Sequence, residues 1–165
     1  MKYKTNFSAA LLTAVLSASS NAEPAQVMGQ WYTFDDETGK RSSLITLSQD
    51  DNGKLVGQIS KILKEVEEGI CDKCPEPFTD VPVEGLQFMW GFSRAEAGLW
   101  EGGKLLDPES GDIYKGKVEL LDNPDQLEVR GYIGISLFGR SQIWQRAPQE
   151  EVDELLKNDV SLGEK

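Results

Sequence analysis

Cys71 and Cys74, separated by Asp72 and Lys73, are the two cysteines of the chain, and their spacing admits three chemistries. A Cys-x-x-Cys pair at a helix N-terminus lowers one thiol pKa and performs thiol–disulfide exchange. Here Pro75 follows the second cysteine, the loop is rich in proline and in acidic residues that raise a thiolate pKa, and no βαβ pattern surrounds it. A closed zinc site is the second reading. It takes four ligands, and with no histidine and no second cysteine pair, carboxylates would have to complete the shell. The third reading is a structural disulfide that tightens a long loop in an oxidising compartment.

The remaining residues able to do chemistry are carboxylates. Without histidine, neither a Ser-His-Asp nor a Cys-His arrangement is available. Asp35-Asp36 and Glu67-Glu68 are adjacent pairs, but neighbours on a strand face opposite sides, and nearby Gly39 marks Asp35 and Asp36 as turn residues. Asp50-Asp51-Asn52-Gly53 resembles the start of a calcium loop, yet Lys61 stands where the closing glutamate belongs. Gly39-Lys40 lacks the upstream glycine of a phosphate-binding loop. No catalytic constellation, metal site or cofactor motif emerges, so an enzyme is the weakest of the function classes.

The elements that position these residues are read from the turns. Asp35 to Gly39, Asp50 to Gly53, Asp107-Pro108-Glu109-Ser110-Gly111 and Asp122 to Asp125 supply glycine for positive φ, proline for fixed φ and Asx side chains for local hydrogen bonds. Between them the pattern predicts strands over roughly 29–35, 42–48, 54–62, 86–92, 99–106, 112–121, 126–136 and 139–146. Sequential strands joined mostly by tight hairpins predict an all-β fold, an antiparallel up-and-down eight-stranded β-barrel whose closure removes exposed edges. A two-sheet sandwich is the alternative. By alternation, Leu127, Val129, Gly131, Ile133 and Ile135 share one face, with Glu128, Arg130 and Tyr132 on the other. Leu86, Phe88, Trp90 and Phe92 form a second apolar row. The connection from Leu63 to Gly85 is long enough to be a lid over one end of the barrel, or a plug in it.

The first residues bear on compartment. Lys2 and Lys4 precede an apolar stretch from Phe7 to Leu16 and then Ser20-Asn21-Ala22, which predicts a signal peptide over 1–22 with cleavage before Glu23. The stretch is too short to span a bilayer, and no cysteine at the cut site suggests a lipid anchor. The expected organisation is a barrel domain over 23–147 and an acidic helical tail over 148–165, where Glu150, Glu151, Asp153 and Glu154 surround Val152, Leu155 and Leu156 at helical spacing. Periplasmic or secreted localisation follows, without membrane insertion. The formal charge of −11 becomes −13 once Lys2 and Lys4 are cleaved away. That sign disfavours nucleic acid and anionic membranes as partners.

Gly29-Gln30-Trp31, the Cys71-Asp72-Lys73-Cys74-Pro75 loop, the Gly103 to Gly111 hairpin and the stretch from Arg130-Gly131-Tyr132 to Trp144 together resemble the DUF2147 family of exported bacterial proteins, over nearly all of the mature body. The resemblance implies a lipocalin-like β-barrel that is secreted or periplasmic. It implies no reaction. Gly29-x-Trp31 also resembles the lipocalin signature, in which a tryptophan closes the barrel floor and a late arginine packs over it. Arg140 or Arg146 would be that cation, since both lie on the last predicted strand. A plain core position is the other reading of Trp31, and both readings bury it.

Two functions follow, according to whether the interior is hollow. A hollow barrel would bind a small apolar or amphipathic ligand, lined by Phe88, Trp90 and Phe92, with Tyr132 or Arg130 as polar orienters at its mouth. A filled barrel would act through its surface as an envelope module that contacts another protein.

Overall fold

The computed structural model describes residues 27–64, 69–135, 137 and 139–162. The expected signal peptide and Glu67-Glu68 lie outside the described residues. The strands are β1 (Gly29–Phe34), β2 (Arg41–Gln49), β3 (Leu55–Ile62), β4 (Gln87–Glu96), β5 (Leu99–Leu106), β6 (Ile113–Leu120), β7 (Gln126–Tyr132) and β8 (Gly139–Arg146), followed by helix α1 (Gln149–Leu162). Each strand pairs antiparallel with the next, and β8 returns to β1, giving a closed eight-stranded barrel rather than a sandwich.

The turns form for the reasons legible in their residues. The Asp50 carboxylate accepts the backbone N–H groups of Asn52 and Lys54 at 2.9 and 2.8 Å, and Gly53 takes a φ of +71°. These bonds make Asp50 a turn organiser. Asp35 accepts both the amide and the hydroxyl of Thr38, and those bonds hold its carboxyl below the usual carboxylate range.

Two strands depart from simple alternation. Gly91 adopts a φ of +77°, and the β3–β4 register shifts between the Leu55–Phe92 and Gly57–Met89 pairs, so an extra residue bulges from β4. The bulge reverses parity. Met89 and Phe92 are fully buried, whereas Trp90 is half-buried and packs on Phe78, with ring centroids 5.5 Å apart. A second register shift, between the Gly57–Met89 and Gln58–Gln87 pairs, lets the neighbours Phe88 and Met89 both be buried, so the expected row of Leu86, Phe88, Trp90 and Phe92 is broken at Trp90. Strand β7 ends at Tyr132 instead of continuing to residue 136, because Gly134 takes a φ of +74° and turns the chain. Ile133 and Ile135 are consequently exposed and do not share the buried face of Leu127 and Val129.

The core occupies one end of the barrel. Trp31, Leu47, Leu55, Met89, Phe92, Trp100, Val118 and Leu127 are buried there in a single cluster. A second cluster lies outside the wall. Tyr32 and Leu44 on the outer faces of β1 and β2 pack with Ala147 and Val152, so α1 lies across these two strands. Its acidic first turn is tied down as well: Glu151 accepts from the Tyr32 hydroxyl at 3.2 Å and pairs with Arg41 at 2.7 Å. Burial and this carboxylate raise the phenol pKa. Val152 is 1% exposed and is the apolar anchor of the helix. Replacing Val152 with aspartate should cost about 1.5–3 kcal/mol from lost burial alone and release the helix. Urea unfolding with circular dichroism would measure this, with the barrel's β signal retained in native buffer.

Candidate ligand-binding site

The β1–β2, β3–β4, β5–β6 and β7–β8 connections all leave the same end of the barrel, opposite the filled core. Inside that end lies a cavity of about 1160 Å³. Its depth is apolar: Ile45, Ile59, Phe88, Leu105, Leu106, Val129 and Trp144 line it and are buried. Polar residues line one side. Thr33, Ser43 and Gln142, from β1, β2 and β8, face the same space. Asp35, Asp36, Lys64, Asp72, Lys73, Glu109 and Arg140 surround the opening.

The polar wall is internally bonded. The Trp144 indole N–H donates to Gln142 Oε1 at 2.7 Å, and Gln142 Nε2 donates to the Phe34 carbonyl at 2.7 Å and to Asp36 at 3.3 Å. Arg140 pairs with Asp36 at the rim. This wall can present hydrogen-bonding groups to the polar end of a ligand whose apolar part sits against Phe88 and Leu105.

The long β3–β4 connection covers part of the mouth, with Gly69, Ile70, Asp72, Lys73 and Val83 among the cavity-lining residues. It is seated by several contacts. Cys71 and Cys74 are buried and lie at disulfide distance, with Cα atoms 5.3 Å apart. Lys64 pairs with Glu109, and Lys73 Nζ donates to the Glu109 carbonyl at 3.2 Å. Gly111 has a φ of +78°, and a Cβ there would lie 2.0 Å from the Lys73 carbonyl oxygen. The β5–β6 hairpin thus needs glycine at this point so that the covering loop can rest on its backbone.

The closed end shows a second organised group. Trp31 has no exposed surface, and its indole N–H donates to the Val27 carbonyl at 2.9 Å. Arg146 stacks over its ring at 4.2 Å while donating to the Met28 and Pro124 carbonyls. Desolvation lowers the Arg146 pKa, opposed by nearby Asp125. Gly29, with a φ of +119°, sits beneath this guanidinium: a Cβ there would meet Arg146 Nη1 at 3.4 Å. A buried tryptophan on the first strand thus lies under an arginine of the last strand.

The profile of the family described as uncharacterized protein conserved in bacteria, DUF2147, matches residues 29–146, the whole span from β1 to β8. The chain belongs to the DUF2147 family. Among solved structures, protein HP1028 from the human pathogen Helicobacter pylori, described as belonging to the lipocalin family, is similar over 79% of this chain and 88% of that chain, with 19% sequence identity and a TM-score of 0.69. At this identity the likeness speaks for the fold. No curated protein matches the sequence.

Within this DUF2147 barrel the residues singled out from sequence separate into distinct places. Phe88 lines the cavity, its ring centroid 6.3 Å from that of Trp144. Phe92 lies beneath it in the filled core, and Trp90 does not line it, because β4 shifts register on both sides of the Met89–Trp90 pair. Tyr132 borders both the mouth and a depression on the outer wall beside Lys117 and Glu101. Arg130 bonds the Ser141 hydroxyl at 2.9 Å. Arg146 takes the place over Trp31, while Arg140 stands at the opposite end, on the rim. Sequence reading missed Gln142, Trp144, Ile59 and Leu105. Trp144 carried a usable signal, because it has the same parity as Arg146 two residues on.

Proposed function

We propose that this protein is an exported binding module that holds a small apolar or amphipathic ligand inside its barrel. The cavity carries the reading: about 1160 Å³ with an apolar depth, one polar wall and a charged rim, a little above the usual size range of small-molecule sites. Export is supported by the amino-terminal pattern of charged, apolar and small residues and by the paired cysteines, which suit an oxidising compartment such as the periplasm or the exterior. The surface-module alternative presupposed a filled interior, and the filling stops at the lower half of the barrel.

Tryptophan fluorescence tests the proposal. Titration with lauric acid, dodecylamine, dodecanol or the apolar dye N-phenylnaphthylamine should give a saturable change for at least one of them. The change should vanish in Trp144→Phe and persist in Trp90→Phe, because only Trp144 lines the cavity. The melting temperature should rise with ligand concentration by mass action. A panel that leaves both signals unmoved would sink the binding role.

A further inference from the structure

The geometry points to the seam between β1 and β8 as the entrance of the cavity, latched by Gln142 and the Asp36–Arg140 pair; this rests on the ligand-binding reading above. Across this seam, among the described residues, the backbone register consists of Trp31 with Arg146 and Tyr32 with Gln145, both toward the closed end. Thr33 and Phe34 on one strand, and Gly139 to Trp144 on the other, have no register partner across the seam, although β8 stays paired with β7 throughout. The neighbouring ladders run on toward the rim, to Phe34–Arg41 between β1 and β2 and to Tyr132–Gly139 between β7 and β8. At the height of the cavity, this seam is therefore closed by side chains.

The closing bonds come from groups that line the cavity. Gln142 Nε2 reaches the Phe34 carbonyl at 2.7 Å and Asp36 at 3.3 Å, and Arg140 pairs with Asp36. Such links part by rotation about side-chain torsions, without unravelling a strand. Trp144 aims the Gln142 amide through its indole N–H, so the latch is bonded to the wall that a ligand would touch. Over the opposite side of the mouth, the disulfide-bearing loop is seated on the β5–β6 hairpin and covers that part of the opening. Beside the seam, the β7–β8 connection exposes Ile133, Ile135 and Leu137, an apolar approach continuous with the cavity because Ile133 also lines it.

The experiment bridges the seam without touching the native cysteine pair. The double variant Asp36→Cys/Arg140→Cys is treated with a phenylenedimaleimide, and the control is the same variant capped at both thiols with N-ethylmaleimide. Stopped-flow mixing with N-phenylnaphthylamine should show association and dissociation both slowed at least tenfold by the bridge, with affinity changed less than about threefold. Equal rates in bridged and capped protein would overturn the entrance while leaving binding intact. A wild-type protein that takes up neither this probe nor any other member of the panel above would overturn the binding reading and the entrance with it. A second readout needs no ligand. By strand alternation, the amides of Phe34, Ser141 and Ile143 face the seam. They should exchange hydrogen at least tenfold faster than the paired amides of Val118 and Val129, and equal protection would overturn the proposal.

Discussion

Replacing Trp31 with alanine should destabilise the protein by about 3–5 kcal/mol, the range for deleting a large buried aromatic side chain. The indole has no exposed surface, and its loss also frees the Val27 carbonyl from a 2.9 Å hydrogen bond and strips Arg146 of the ring beneath its guanidinium. Trp31 and Arg146 are also register partners, so the damage falls on the short ladder that closes the ring. Urea unfolding followed by near-ultraviolet circular dichroism would report the loss. Trp90→Ala is the natural comparison: half-buried against Phe78, it should cost clearly less. A Trp31→Ala loss below about 1 kcal/mol would contradict its burial.

A second large effect is expected where Phe92 crosses two glycines. A Cβ on Gly103 would lie 2.0 Å from the Phe92 ring, and one on Gly116 would lie 2.4 Å from it, so β5 and β6 leave out side chains to make room for the phenyl group. Phe92→Ala should cost about 3–5 kcal/mol. Gly103→Ala overfills the same space and should cost about 1–3 kcal/mol, or more if the ring cannot shift. Their combination should be much less harmful than the two costs added, because removing the ring removes the clash. A coupling of about 1–3 kcal/mol in a double-mutant cycle is the expected result. Additivity within about 0.5 kcal/mol would show that the ring and the glycine are independent.

The strands were legible because their ends are chemically marked. Asp35, Asp50 and Asp107 each begin a turn whose amides their own carboxylates accept, and such local bonds can be read without knowledge of the tertiary fold. The parity of β4 was lost at two places, Phe88 and Gly91. Gly91 reads as a neutral member of an apolar run, yet an isolated glycine inside a strand signals a bulge, and that signal would have separated Trp90 from Phe92. The continuation of β7 failed at Gly134 for a related reason: the Ile133 and Ile135 alternation persists after the backbone has left the sheet. Trp31 was legible as a buried position, but sequence alone left Arg140 and Arg146 equal, since both share a parity on β8 and only barrel height separates them. The cavity depends on how far side chains from different strands reach across the axis, a quantity no single segment contains. Gln142 shows the limit best. A glutamine on a terminal strand carries no chemical mark until Trp144 and Phe34 are brought against it.

The strand order also has a consequence for the timing of folding. Every ladder except one joins strands consecutive in sequence, so, apart from β3–β4 with its long connection, those hairpins can zip as the chain emerges, with little loop-closure cost. The remaining ladder joins the first strand to the last and cannot form until Arg146 is free. Throughout synthesis, β1 therefore waits with an unpaired edge. A chain cut short before β8 keeps that edge permanently, together with an unpaired edge on its last complete strand, and two such edges let nascent chains pair with one another. The carboxyl-terminal end thus acts as a completion check: late frameshifts and truncations, though they spare nearly all of the core, should yield aggregated or degraded product rather than a weakened barrel.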